Sequence, residues 1–497
     1  MIISIEDWHY LGEGKVRIAL ANLNRQSDTF GSVLLLQKWN GTTATNQESG
    51  AENDVKFIKS VMLRWYTGNY VFEDPRSITL CDATIDEIMC KINRSRPPSR
   101  VGESSCTILQ RSACLQRNYS NLNRIIPISV GILNDELSIE LKVKCGLKAT
   151  TPFVVGTVAD IKLQISRYRL MQLHKQAKAS RKNGWGTFVG LSDYNPLDIF
   201  SGHPVRIKTA LCTLLMNPQN NFRLSLNSKH IYGWDKQDVQ SLFDSLQESS
   251  FWECADRQEG QESDVLRTPL EVLGQLGSIF DALAAVLSEE PVLRRLHDMQ
   301  RLDMLDSEGA AVVYARLVEV VGSADRAMEL FEQVMLSSTD LEMSVQPGAV
   351  GELASIVQAL HALRITSHMS EEEHRVRLAQ AHEVISQATS EQCLHLMKMW
   401  MLALIAKDAS VMVTARRIHV PALPQPGRQV GDMWVSLQSP THCGTAFHAD
   451  QKLMDDLGYE GFVYTVGLID LGLKSLDKVW KKAAEDANVC EVVRKSL

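Results

Sequence analysis

A chain of 497 residues with 44% hydrophobic content has material for two or three domains around sizeable cores. A formal charge of −7 and a pI near 6.0 exclude a globally basic nucleic-acid binder and leave only local basic patches. Ten cysteines without Cys-x-x-Cys pairs, no apolar leader and no run of about eighteen apolar residues point to reduced thiols in the cytoplasm or nucleus, without membrane insertion.

The predicted elements open with Trp8-His9-Tyr10-Leu11-Gly12-Glu13-Gly14-Lys15, followed by an alternating stretch, 16–20, and a mostly apolar run, 33–39, that carries Lys38. A Gly-x-Gly turn between two strands either closes an ordinary hairpin or covers phosphate groups with backbone N–H donors. Residues 40–54 read as a polar loop, and 54–66 and 84–92 have helical spacing. Arg94, Arg96 and Arg100 surround Pro97-Pro98, either as a solvated loop or as an anion clamp of limited flexibility.

The stretch 137–146, Leu-Ser-Ile-Glu-Leu-Lys-Val-Lys-Cys-Gly, alternates Glu140, Lys142 and Lys144 with Ile139, Leu141 and Val143. In a strand these polar side chains share one face, with the two ammonium groups roughly 6 to 7 Å apart. Glu140 neutralises only part of that charge, so the face meets either water or a polyanion. A helix is expected over 158–179, with Ile161, Ile165, Tyr168 and Leu173 toward a core. Arg167, Met171, His174, Lys175 and Lys178 form a second, basic stripe. That ridge beside Lys142 and Lys144 makes a cleft for a highly anionic small molecule; a solvated face is the other reading.

Residues 191–202 are turn-rich, 205–215 read as a helix, and Asn220, Asn221 and Arg223 stand at the entrance of a short strand. Amides and an arginine fork there either recognise hydroxyls and phosphates or serve as turn residues. From 269 to about 406 the pattern is helical, with segments at 269–287, 290–306, 309–320, 324–336, 348–364, 370–386 and 389–406, including an accessory insert over about 325–390. The histidines at 361, 368, 374, 382 and 395 match no structural zinc spacing. Asp408 precedes one strand and Asp470 ends another, the minimal carboxylate pair for holding Mg²⁺ against phosphates. Residues 421–431 read as a loop, and Lys474, Lys478, Lys481 and Lys482 follow the last strand.

Taken in order, these pieces resemble the inositol-pentakisphosphate 2-kinase family. The resemblance runs through Gly12-Glu13-Gly14, Arg96-Pro97 to Arg100, and Glu140 to Gly146, which is similar to a Glu-x-Lys-Pro-Lys-x-Gly signature. It continues through Ser166-Arg167-Tyr168, 172–175, 194–202, Asn220-Asn221 with Arg223, 302–309, Ala406-Lys407-Asp408 and Ile469-Asp470-Leu471 with Lys474. The resemblance implies an α+β, two-lobed kinase-like fold with an enlarged, largely helical C-lobe. Residues 1–150 would form a β-rich nucleotide-binding lobe and 151–497 an inositide-binding, catalytic lobe. It implies a monomer that uses ATP and Mg²⁺ to phosphorylate the axial 2-hydroxyl of inositol 1,3,4,5,6-pentakisphosphate. Carried onto this chain, Asp408, Lys142 and Lys144 would be catalytic. Gly12, Glu13, Gly14, Lys15, Lys38, Glu140 and Asp470 would serve the nucleotide, with Asp408 and Asp470 on the metal. Arg100, Lys144, Lys175, Asn220, Asn221, Arg223, Lys474, Lys478 and Lys482 would hold substrate phosphates.

The chain departs from the family pattern at Leu35 (arginine), Val143 (proline), Met171 (histidine) and the lysine-rich 480–482 (an aromatic), and it lacks the plant members' Cys/His zinc cluster. Two alternatives follow: an inositide-binding scaffold that turns over poorly because of Leu35, or a kinase of broader inositol polyphosphates. A helical adaptor built on 270–400 is a third.

Overall fold

A computed structural model of the chain describes residues 5–14, 16–38, 50–66, 70–71, 74–96, 109–122, 135–181, 190–219, 221–233, 238–247, 249, 269–337, 351–420, 443–447, 459–474 and 479–496. The fold is α+β, with two antiparallel sheets and many helices. It divides into a sheet-bearing unit, residues 1–141, 220–286 and 410–469, and a helical unit, residues 142–219, 287–409 and 470–497.

In the sheet-bearing unit, β1 (Trp8–Glu13), β2 (Arg17–Asn22), β3 (Ser32–Lys38), β4 (Arg76–Thr79) and β5 (Leu109–Arg117) form a five-stranded sheet in the order β1-β2-β3-β5-β4. Alternation puts Ile18, Leu20, Leu34 and Leu36 on its buried face, where Ile85, Ile88 and Ile92 of helix Asp82–Ile92 cover them. The second sheet runs β10-β11-β9-β6-β7-β8, from β6 (Glu136–Lys142), β7 (Phe222–Leu226), β8 (Lys229–Gly233), β9 (Ser410–Val420), β10 (Cys443–Phe447) and β11 (Tyr459–Ile469). Segments far apart in sequence thus return to pair with β6 and β9. Gly467 is needed where it stands, because a Cβ there would lie 2.1 Å from the Tyr119 ring.

The helical unit is built around helix Ser390–Asp408. A Thr389/Gln392 capping box starts it, and every residue from Cys393 to Ala406 except the half-buried Leu404 is buried, on all sides rather than along a stripe. Helices Pro291–Gln300, Asp306–Val321, Ala324–Met335 and Glu352–Ala362 surround it. Helix Glu352–Ala362 buries Ala354, Ile356, Val357 and Leu360, so this part of the expected insert is docked rather than appended.

The single helix expected over 158–179 is two, Gly156–Lys162 and Arg167–Arg181. Residues 145–149 thread across the break: Ala149 N–H donates to Lys162 O, while Arg167 and Tyr168 N–H donate to Leu147 O and Cys145 O. Ser166 Oγ accepts from Arg169 N–H at 3.3 Å and opens the second helix. Met171 and Leu173 pack with Ile161, Leu170, Val489, Cys490 and Val493, so Met171 belongs to the core and not to a basic stripe.

Candidate active site

In the helical unit, the end of β6 and the end of helix Ser390–Asp408 bring the expected lysines and carboxylates together. The strand expected over 137–146 ends at Lys142, but burial still alternates past its end: Leu141 and Val143 are buried, while Lys142 and Lys144 remain partly exposed. Buried Tyr194 donates its hydroxyl to Val143 O at 2.9 Å, pinning the backbone between the two lysines. Lys144 then takes a left-handed conformation, φ 64°, as does Asp470. Lys142 Nζ donates to Asp470 Oδ2 at 2.5 Å, and Lys144 Nζ to Asp408 Oδ1 at 3.5 Å. Lys474 donates to Asp408 Oδ2 and to Leu404 O.

Enclosure by protein would raise the Asp408 carboxyl, but the Lys474 and Lys144 charges outweigh it and hold the group well below the usual carboxylate range. Enclosure lowers Lys144, and the neighbouring Lys142 and Lys474 charges add to this while Asp408 opposes it. Lys175, on helix Arg167–Arg181, is lowered by enclosure and then by the Lys144 charge. Lys482, on helix Val479–Arg494, is lowered by enclosure and then by Arg167. These four lysines and the two acids therefore form one electrostatically connected group together with Lys474. The carboxylates of Asp408 and Asp470 keep 58% and 49% of their exposure, offering hard oxygen donors of the kind that hold Mg²⁺ alongside phosphate oxygens. Among the described residues no group of three or more His, Cys, Asp or Glu could hold a metal ion.

The sheet-bearing unit carries the rest. Gly12 and Glu13 are not in a turn but end β1, opposite Ala19 and Ile18 of β2, and Gly14 just beyond donates its N–H to Arg17 O. A Cβ on Gly12 would stand 3.2 Å from Arg223 Nη1, so the arginine lies against the glycine. Arg223 is also the cross-strand partner of Glu140 between β6 and β7, and Glu140 accepts from Ser410 Oγ at 3.1 Å. Gly12, Glu140 and Arg223 are thus neighbours. Asn221 is 1% exposed, and neither its Nδ2 nor its Oδ1 has a hydrogen-bond partner among the described residues. A buried amide left unmatched is costly, which marks it as available to a ligand.

Glu13 sits differently from a residue reaching toward nucleotide. Its carboxylate is 1% exposed and takes two hydrogen bonds from Arg96, each 3.0 Å, and an ion pair from Lys38. Lys38 also donates to Gly14 O at 2.9 Å. Glu13, Arg96 and Lys38 therefore brace the Gly12-Glu13-Gly14 segment from below. Leu35, where the family pattern has arginine, pairs with Ala19 and Cys114 inside the sheet. Lys15, Arg100, Asn220 and Lys478 lie outside the described residues, as does the loop 421–431.

Sequence reasoning passed over Gln300, whose Nε2 donates to Lys144 O at 3.1 Å and Ala406 O at 3.2 Å. It also passed over the Lys407–Asp303 ion pair beneath Asp408. Their signal was adjacency to quoted motifs: Gln300 precedes the 302–309 segment and Lys407 precedes Asp408.

Among the described residues no helix is long and apolar enough to cross a membrane. A sequence model of the inositol-pentakisphosphate 2-kinase family matches residues 10–488. The chain is 28% identical over 338 residues to the inositol-pentakisphosphate 2-kinase of Arabidopsis thaliana, covering 63% of this chain and 70% of that protein. It is 28% identical over 183 residues to a protein of that description from Oryza sativa subsp. indica, 37% of this chain and 36% of the relative. The relative from Danio rerio is 25% identical over 232 residues, 46% and 44% of the two chains. With the family pattern running through nearly its whole length, this chain belongs to the inositol-pentakisphosphate 2-kinase family.

Proposed function

We propose that the protein transfers a phosphoryl group from ATP to the axial 2-hydroxyl of inositol 1,3,4,5,6-pentakisphosphate, giving inositol hexakisphosphate. Family membership supports the reaction, and one observation carries the assignment of residues: Lys142, Lys144 and Lys474 converge on Asp408 and Asp470. A substrate with five phosphates needs such a surplus of cations. These lysines neutralise the two acids, and arriving phosphates compete for them.

In this reading Asp408 orients or deprotonates the attacking hydroxyl, and Lys142 faces the transferring phosphoryl group. Lys144, Lys175, Lys474 and Lys482 clamp the inositide, joined by Asn221 and Arg223 and by Arg100, Asn220 and Lys478. Asp470, with Asp408, would hold Mg²⁺, which when bound neutralises phosphate charge. The Gly12-Glu13-Gly14 segment, with Lys15 and Lys38, covers the nucleotide phosphates, braced by Glu13. Residues 1–150 act as the nucleotide lobe and 151–497 as the inositide lobe of a two-lobed, kinase-like fold. The protein works as a monomer in the cytoplasm or nucleus of a eukaryote.

A second reading, an inositide-binding scaffold with little turnover, draws on the engagement of Lys38 with Glu13 and on Leu35 at the expected arginine. The deciding experiment follows ATP- and Mg²⁺-dependent conversion of the pentakisphosphate, separated by phosphate count, for the unaltered protein and Asp408→Ala. A six-phosphate product lost in the variant supports the kinase. Tight inositide binding without product supports the scaffold.

A further inference from the structure

Beside the Lys144–Asp408 group, with its whole lining in the helical unit, lies a cavity of about 250 Å³ that shares only Lys482 with the proposed inositide clamp. Its wall carries seven cations against three carboxylates. The carboxylates are engaged: Asp303 with Lys407, Asp306 with Lys162, and Asp486 with Lys162 and Arg167. Lys148, Arg301, Arg364 and Lys482 form no ion pair among the described residues.

The wall also holds four buried polar atoms with no hydrogen-bond partner among the described residues: Thr151 Oγ1, Gln300 Oε1, Arg364 Nε and Trp400 Nε1. Thr151, Gln300 and Trp400 are each no more than 2% exposed. Unmatched buried groups are uncommon, and four around one cavity are a built polar site. Three of the four can donate, and Gln300 Oε1 can accept. That set complements an oxyanion bearing one O–H, such as hydrogen phosphate. Burial, and then the Arg301 charge, lower the Arg364 guanidinium from its ordinary value, and a bound anion relieves both. The volume lies below the roughly 300 Å³ at which larger ligand pockets begin, so the occupant is small.

We infer that this cavity is a second anion site, taking a small phosphate-class oxyanion between Arg364, Trp400, Thr151 and Gln300. Gln300 connects it to the proposed active site, since its other side-chain atom holds the Lys144 and Ala406 carbonyls.

The test titrates inorganic phosphate, and separately glycerol 3-phosphate, into the full chain at constant ionic strength, read by calorimetry and by the melting temperature against chloride. The Lys142→Ala/Lys474→Ala background weakens competition from the proposed inositide site. The expected result is saturable binding in that background, weakened about tenfold by Arg364→Gln and several-fold by Trp400→Phe, which keeps the ring and loses only the N–H. Saturation by phosphate assigns the site to the free ion; saturation only by the ester assigns it to a phosphorylated small alcohol. Binding lost in the lysine double variant, or untouched by both cavity substitutions, overturns the inference. So does the absence of any phosphate-specific rise in melting temperature for the unaltered protein. Turnover of the pentakisphosphate is a separate readout, so either proposal can fail while the other stands.

Discussion

Replacing Asp408 by asparagine removes one charge and leaves shape intact, and the structure gives three linked expectations. The carboxylate sits 3.5 Å from Lys144 Nζ, is also paired with Lys474, and keeps 58% of its exposure. An exposed pair contributes only about 0–1 kcal/mol to folding, so the melting temperature should move little. If Asp408 handles the attacking hydroxyl, turnover should fall by about 10²–10⁴-fold, or about 2.7–5.4 kcal/mol of barrier. Inositide binding should hold or tighten, because two lysines lose a competitor. A half-solvated pair at this distance is worth about 1 kcal/mol, or about fivefold in affinity. Product formation by chromatography, together with calorimetric titration of the pentakisphosphate, measures both. Turnover within about threefold of the unaltered protein would refute the role. A tenfold loss of inositide affinity beside lost turnover would show that Asp408 maintains the architecture of the site instead.

Glu13→Gln leaves Arg96 and Lys38 without their buried counter-ion and should cost about 3–5 kcal/mol in denaturant unfolding. Burial would raise the Glu13 carboxyl, but hydrogen bonds from Arg96 and Lys38 bring it below its ordinary 4.5. Its stabilisation is therefore full above pH 4.5 and lost as pH falls through the lower folded value, so the gap between the two proteins should close only in that acid range. Tyr194→Phe keeps the edge-to-face packing on Tyr168 but strips Val143 O of its donor, for about 1–3 kcal/mol in melting experiments. Gly12→Val places a side chain against Arg223, whose flexible end can shift, so the Michaelis constants should rise several-fold while stability stays within about 0.5 kcal/mol.

What could be read from the sequence followed from local periodicity. The period-two alternation at β6 placed Lys142 correctly relative to Leu141, whereas Lys144 stands past the strand's end in a left-handed turn that the alternation did not show. The helices from 269 to 408 stood close to where their apolar spacing put them, except that the one expected over 290–306 ends at Gln300 and the next begins at Asp306. Of the break at 163–166 only Ser166, which caps the second helix, was legible; the rest is made by hydrogen bonds with residues 145–149. Glu13 between two glycines is assigned to the nucleotide by sequence, because its principal partner, Arg96, stands 83 residues away and gives no local sign of the buried ion pair. The cavity had no motif at all: Thr151, Gln300, Arg364 and Trp400 come from four separate segments and share only the space they enclose.

The backbone adds an argument about why the charged residues stand where they do. Lys144 and Asp470 both have φ of 64°, a conformation glycine adopts freely and a lysine or aspartate only against strain. Each such residue costs about 1–3 kcal/mol and persists only where its surroundings hold it. Here the surroundings do: Gln300 grips the Lys144 carbonyl, Asp408 its ammonium group, and Lys142 the Asp470 carboxylate. Glycine would satisfy the chain at both turns with less strain but would bring no charge. Folding alone therefore favours glycine at 144 and 470, and a lysine and an aspartate there fit the roles proposed for them toward phosphate and Mg²⁺.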